Sequence, residues 1–166
     1  MRPIARLLLP ALSIVLVGCG GGGSLPDSYS ILNGQQIRKA LEGQAGNVVV
    51  LNFWATWCVP CRQEFPALVA LDEKYRRDGV RVIGVSVDDV ADLEEKVRPF
   101  IRAVGAKFPI WIKATGDPMD FMEALNPQLS GAIPETMIYN RRGNVVEILA
   151  GEQTFEQFEA AIKPLL

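Results

Sequence analysis

Blocks of apolar residues with two different spacings predict strands and helices in turn along the chain. The largely β-branched run at 48–53 is typical of a strand buried on both faces, and residues 80–87 predict a second strand of this kind. A short helix is predicted near 35–41, ahead of the first strand. Between the two strands, apolar residues at helical spacing predict a helix that closes near Gly79: Phe65, Leu68, Leu71 and Tyr75. This order is typical of an α/β domain with parallel strands.

The second half of the chain continues the alternation and then changes to a hairpin. After the second strand, a helix bent by Pro99 is predicted from its apolar residues: Leu93, Val97, Phe100 and Val104. The next predicted elements are a strand at 109–112, a short helix at 118–125, and a hairpin of strands 136–139 and 145–149. A final helix begins after Thr154, because Thr154 and Gln157 have the spacing of a capping box.

Length and composition indicate one globular domain. The chain has 166 residues, which is enough for one apolar core and too few to expect two domains. Apolar residues make up 49% and charged residues 22%, as in ordinary globular proteins. The net charge is −2, and removal of a leader with two arginines would leave 15 basic and 19 acidic residues, a net charge of −4. Such a surface argues against a nucleic-acid partner.

Three cysteines and no histidine restrict the chemistry. Zinc, copper and haem sites usually draw on histidine, so we expect neither a metal nor another cofactor. Cys58 and Cys61 form one C-x-x-C motif, whereas Cys19 lies far upstream at the end of an apolar run. The spacing therefore predicts two separate roles for the cysteines.

The first 18 residues have the pattern of a secretory leader. Arg2 and Arg6 precede an apolar stretch at 7–17, which is shorter than the roughly 20 residues that span a bilayer. Residues 16–19, Leu-Val-Gly-Cys, resemble the lipobox of bacterial lipoproteins, which implies cleavage before Cys19 and a lipid on its sulfur. The alternative is an uncleaved anchor that ends in a free thiol. Either reading predicts an exported, membrane-tethered protein.

The predicted division of the chain is a leader at 1–18, a lipidated cysteine with a glycine-rich tether at 19–30, and a folded domain at 31–166. Four glycines and a serine follow Cys19, a composition typical of flexible coil. By resemblance to lipoproteins of bacteria with two membranes, Gly20 in place of aspartate does not signal retention at the inner membrane. The expected location is therefore the periplasm or another extracytoplasmic face, with the outer membrane as one destination.

The C-x-x-C motif lies where a buried strand turns into a helix. Free N–H groups at a helix N-terminus stabilise a thiolate, so we expect a pKa of Cys58 below its ordinary value and a nucleophilic role for this cysteine. Cys61 lies one turn later and is placed to attack a mixed disulfide on Cys58. Three other interpretations of the motif compete with this redox role: a structural disulfide, half of a zinc site, and a chance spacing. Zinc lacks a second ligand pair, and a structural disulfide does not explain the flanking Trp54 and Trp57.

The segment FWATWCVPC, followed by Arg62 and by Glu-Phe-Pro at 64–66, closely resembles the membrane-tethered thioredoxin-like reductases of the ResA/TlpA type. The resemblance covers about 47–166 and is weakest at 106–130. It implies a single thioredoxin-like domain, an α/β fold with a central mixed sheet flanked by helices, in which Trp57, Val59 and Pro60 support the cysteine pair. It further implies reduction of disulfides in exported proteins, in some members apocytochrome c, and re-reduction by a membrane thiol donor.

Other functions use the same residues and stay open at this point. A thiol oxidase shares every residue named and differs only in redox potential. A thiol peroxidase needs a pocket that activates peroxide around one cysteine, whereas Trp57 and Pro60 are typical of the exchange motif. A chaperone or other binding module would use the fold without turnover.

Family resemblance also implies a cis proline that faces the cysteines, and Ile133-Pro134 fits this position. A cis bond would place the backbone of Ile133 beside Cys58, where it can pair with an extended substrate chain. A trans proline at the start of a strand is the plain alternative.

An acid is expected to accept the proton of Cys61. Thioredoxin has an aspartate in the strand before the motif, but Asn52 occupies that position here and cannot titrate. Resemblance to the ResA-like reductases indicates Asp89 and Glu135 for this role, while Asp89 can equally be a helix N-cap. Glu64 is interpreted as a first-turn acid that complements the helix dipole, with tuning of Cys58 as a second possibility.

Overall fold

The computed structural model describes residues 28–166, which form six strands in one sheet with helices on both faces. The predicted leader and Cys19 lie outside these residues. The strands are β1 (Ile31–Leu32), β2 (Val48–Trp54), β3 (Val80–Ser86), β4 (Ile110–Lys113), β5 (Glu135–Tyr139) and β6 (Val145–Ala150). The α-helices are α1 (Gly34–Glu42), α2 (Val59–Tyr75), α3 (Arg98–Val104), α4 (Pro118–Leu125) and α5 (Phe155–Ile162).

The sheet is mixed, with the strand order β1-β4-β3-β2-β5-β6. Strands β1 to β4 are parallel, whereas β5 is antiparallel to β2 and β6 is antiparallel to β5. Every residue of β2 is buried, because helices cover both faces of this central strand. Helices α2, α3 and α5 pack on one face, and α1 and α4 pack on the other. The predicted α/β fold, a central mixed sheet flanked by helices, is confirmed.

Most predicted elements appear within two residues of their expected bounds. The helix at 118–125 has the expected bounds, and Thr154 caps α5 in a complete capping box with Gln157. Strand β1 was not predicted, since its two residues are too short to show a periodicity. Asn33 caps α1 in a second capping box with Gln36, which the sequence pattern N-x-x-Q would have indicated.

The helix predicted after β3 is divided into three segments of different pitch. A 3₁₀ turn at Val90–Asp92 leads into a π-helical turn at Leu93–Val97, and only then does α3 begin. Proline has no N–H to donate to the carbonyl four residues earlier, so Pro99 cannot lie inside a regular helix without loss of a hydrogen bond. The chain instead places Pro99 in the first turn of α3, after the π turn.

The two edges of the sheet are short or irregular. Strand β1 pairs with β4 over only two residues. Strand β6, at the other edge, has no buried residue and contains a bulge opposite Ile138 and Tyr139. In the part of the chain from 28 to 166, no helix is long and apolar enough to cross a membrane.

Candidate active site

Cys58 and Cys61 form a disulfide at the start of α2, just beyond the carboxyl end of β2. Cys58 is the N-cap residue of α2, and its Sγ accepts a hydrogen bond from the backbone N–H of Cys61 at 3.2 Å. Cys58 is 6% exposed and Cys61 is fully buried. The helix therefore directs an N–H group at the outer sulfur, where it stabilises a thiolate once the disulfide is reduced.

Apolar side chains surround the outer cysteine. Trp57 is 66% exposed and Val59 is 62% exposed, which is unusual for large apolar residues. Pro60 lies in the first turn of α2, where its missing N–H costs no helical hydrogen bond. The residues between and before the cysteines thus present an apolar surface to whatever approaches Cys58.

The backbone before Pro134, just ahead of the strand that neighbours β2, lies beside Cys58. The Ile133–Pro134 peptide bond is cis, as the family resemblance implied. The carbonyl oxygen of Ile133 lies 3.8 Å from Sγ of Cys58, although the two residues are 75 positions apart. Main-chain atoms of Ile133 therefore lie beside the sulfur that would react with an incoming partner.

A buried carboxyl group lies one turn after Cys61 on the same helix. Glu64 is 1% exposed and accepts hydrogen bonds from Nδ2 of Asn52 at 2.7 Å and from the backbone N–H of Gln153 at 3.1 Å. Burial raises the pKa of Glu64 from 4.5 to about 7, although the two hydrogen bonds act in the opposite direction. The group can therefore exchange a proton near neutral pH.

Glu64 is the functional candidate that the sequence interpretation placed wrongly. It lies beyond the first turn of α2 and faces the core, so its main role is not to complement the helix dipole. Asn52 indicated in the sequence that a buried polar partner must exist, because a polar residue within the buried run of β2 needs one. Asn52 donates to Glu64 and also to Oγ1 of Thr136 on β5 at 2.9 Å.

The structure places the two other acids away from the buried face of α2. Asp89 is exposed and caps the 3₁₀ turn through the N–H of Ala91 at 2.9 Å, which is the alternative that the sequence left open. Glu135 is buried and accepts from the N–H of Ser130 at 3.1 Å, on the sheet face opposite to Thr136. A role for either acid in accepting the proton of Cys61 stays a prediction.

A disulfide at the N-terminus of a helix that follows the central strand, faced by a cis proline, defines a thiol-disulfide oxidoreductase with the thioredoxin fold. The chain belongs to the AhpC/TSA family, whose sequence profile matches residues 24–148. Within this family it is an oxidoreductase of the ResA type. The thiol-disulfide oxidoreductase ResA of Bacillus thuringiensis (strain Al Hakam) is 34% identical over 134 residues, which cover 81% of this chain and 71% of that relative.

Solved structures agree with this assignment. A thioredoxin-family thiol:disulfide interchange protein from Chlorobium tepidum TLS has a TM-score of 0.62 at 22% identity, and the match covers 86% of this chain and 97% of that one, which shows the shared fold. A secreted thiol-disulfide isomerase from Corynebacterium glutamicum has a TM-score of 0.62 at 25% identity, with 72% of this chain and 71% of that chain covered.

Proposed function

We propose that this oxidoreductase is exported, held at a membrane by a lipid on Cys19, and reduces disulfides in other exported proteins. The observation that carries the reaction is the position of Cys58, with the N–H of Cys61 on its sulfur and the carbonyl of Ile133 at 3.8 Å. The leader pattern supports export, as does the similarity to a structure named as a secreted isomerase. Apocytochrome c is one candidate substrate, and a membrane thiol donor is the proposed source of electrons.

The reaction is an exchange of one disulfide for another. The thiolate of Cys58 attacks one sulfur of the substrate disulfide, and the other substrate sulfur leaves as a thiolate that takes up a proton. Cys61 then loses its proton and attacks Sγ of Cys58, which releases the second substrate sulfur. Two electrons pass to the substrate, whose two thiolates take up protons from water, and the pair ends as the disulfide seen in the structure.

Glu64 is the acid best placed to accept the proton of Cys61. Both side chains are buried, and they lie one turn apart on α2. A carboxyl group with a pKa of about 7 matches the task, because it can take up a proton near neutral pH and return it when the pair is reduced again. Asn52 and the N–H of Gln153 fix its orientation.

The redox potential decides between a reductase and an oxidase. We expect a value below about −200 mV, closer to thioredoxin at about −270 mV than to the oxidant DsbA at about −120 mV. The physical reason is that the buried carboxyl group of Glu64 opposes the ionisation that would stabilise the reduced pair. Equilibration with glutathione measures the potential directly. A value near that of DsbA would make the protein an oxidase of thiols.

Lipid attachment is tested by Cys19→Ser. We expect this variant to be released from membranes or to retain its leader, because a signal peptide alone gives no stable anchor after cleavage. Fractionation of cells, with the size of the protein on a gel, measures both outcomes. A Cys61→Ser variant is the matched control, since it also loses one cysteine but leaves the lipobox intact. Normal processing and membrane attachment of Cys19→Ser would refute lipidation.

A further inference from the structure

A second buried carboxylate lies beside the cysteine motif, on Asp88, two residues after the end of β3. Asp88 is 2% exposed. Its two oxygens accept from the backbone N–H of Thr56 at 3.0 and 3.2 Å, and one accepts from the hydroxyl of Thr56 at 2.5 Å. The hydroxyl of Ser86 donates to the other oxygen at 2.7 Å and accepts from the N–H of Asp88 at 3.1 Å. Asp88 thus joins the end of β3 to the loop that precedes Cys58.

These hydrogen bonds hold the loop at a residue two positions before the nucleophile. Trp57, between Thr56 and Cys58 in the chain, is largely exposed and lines two surface cavities of about 570 and 190 Å³. Ile133 lines the smaller cavity, so the position of Trp57 shapes the surface next to the reactive sulfur. Anchoring Thr56 therefore restrains the backbone that leads into Trp57 and the start of α2.

The groups that donate hydrogen bonds to the carboxyl oxygens of Asp88 are neutral N–H and O–H groups. No lysine or arginine within residues 28–166 forms a salt bridge with Asp88. Lys96 interacts with it at longer range, but Lys96 is exposed and paired with Asp92 at 2.9 Å. An amide side chain would keep one acceptor oxygen for Thr56 but would place an NH2 group where the second oxygen accepts. An aspartate adds that second acceptor and a negative charge.

We propose that Asp88 is a positioning residue for Thr56 and Trp57 whose buried charge also favours the disulfide form of the Cys58–Cys61 pair. A fixed negative charge below the loop repels the thiolate that Cys58 forms on reduction, which raises the free energy of the reduced pair. A less stable reduced pair gives its two electrons more readily to a substrate disulfide, which becomes two thiols. This inference rests on the proposed reductase function and identifies one source of the reduction potential of the Cys58–Cys61 pair.

The charge is tested by Asp88→Asn, which keeps the shape and an acceptor oxygen. We expect the equilibrium with glutathione to shift about fivefold to tenfold towards the reduced pair, and Cys58 to ionise at lower pH. Absorbance of the thiolate during a pH titration measures the second effect. Glu95→Gln removes an exposed charge from the neighbouring π turn and is the matched control, with unchanged values expected. An unchanged equilibrium and titration in Asp88→Asn would overturn the electrostatic role.

The positioning role is tested by Thr56→Val, which keeps the charge of Asp88 and removes one hydrogen bond. We expect greater quenching of Trp57 fluorescence by acrylamide and a severalfold higher KM for disulfide-bonded protein substrates such as insulin, with the potential unchanged. Trp54 and Trp111 are fully buried, so the quenched signal reports Trp57. Quenching and KM equal to the wild type would overturn this role. The potential of the wild type decides separately whether the protein is a reductase, since the test of Asp88 uses only differences between variants.

Discussion

A Cys58→Ser variant is expected to have no disulfide-exchange activity above the uncatalysed rate. A serine hydroxyl does not ionise near neutral pH, and without Sγ of Cys58 no mixed disulfide can form. A Cys61→Ser variant should also fail to turn over, but it should accumulate a mixed disulfide with its substrate because no second thiol can release it. The measurements are reduction of a protein disulfide, such as that of insulin, and capture of the mixed disulfide on a non-reducing gel.

The two cysteines should also differ in the reduced wild type. Cys58 is slightly exposed and Cys61 is fully buried, so iodoacetamide should modify Cys58 first. Equal rates, or faster modification of Cys61, would contradict the assignment of Cys58 as nucleophile. If cells that carry both serine substitutions keep the wild-type function, the protein acts as a binding module instead of a reductase.

Replacing Glu64 with glutamine is expected to change how stability depends on pH. The pKa of Glu64 is about 7 in the fold, above its ordinary value of 4.5, so the native state binds more protons than the unfolded state between these values. Stability therefore falls as the pH rises through this window and stays constant above it, with a total loss of about 3 kcal/mol. Glu64→Gln removes this slope. The free energy of unfolding of the variant, measured relative to the wild type, should therefore be higher at pH 8 than at pH 5.

Urea unfolding of the oxidised proteins at pH 5 and pH 8 measures the difference, with exposed Glu147→Gln as the control for loss of a carboxyl group. The same substitution should slow release of the mixed disulfide by about a hundredfold, a typical contribution of a general base. A wild-type slope retained in Glu64→Gln would show that another group causes it. In that case Asp89 and Glu135 become the acids to replace next.

Sequence patterns were sufficient for elements whose signals are local. The capping box at Thr154 and the short helix α4 are examples, because the residues that determine each lie within one or two turns. The cis bond before Pro134 was predicted only through the family resemblance, since X-Pro bonds of any one sequence are usually trans.

The buried acids depended on contacts that no local pattern shows. Asp88 and Asp89 are neighbours with the same side chain, yet one is buried and the other exposed. The difference arises because Asp88 meets Thr56, 32 residues earlier in the chain, while Asp89 meets only the turn that follows it. Glu64 likewise depends on Gln153, 89 residues later. Partners this far apart in the chain can be identified only from the folded structure.

The short and irregular edges of the sheet restrict where another polypeptide can add a strand. Strand β1 offers two residues, and the bulge and exposed Glu147 on β6 interrupt the flat row of backbone groups that edge-to-edge pairing requires. Copies of the protein are therefore protected against edge-to-edge aggregation. Among the described residues, Ile133 has its carbonyl oxygen 3.8 Å from Sγ of Cys58, so an extended chain that paired with the backbone there would lie beside the reactive sulfur.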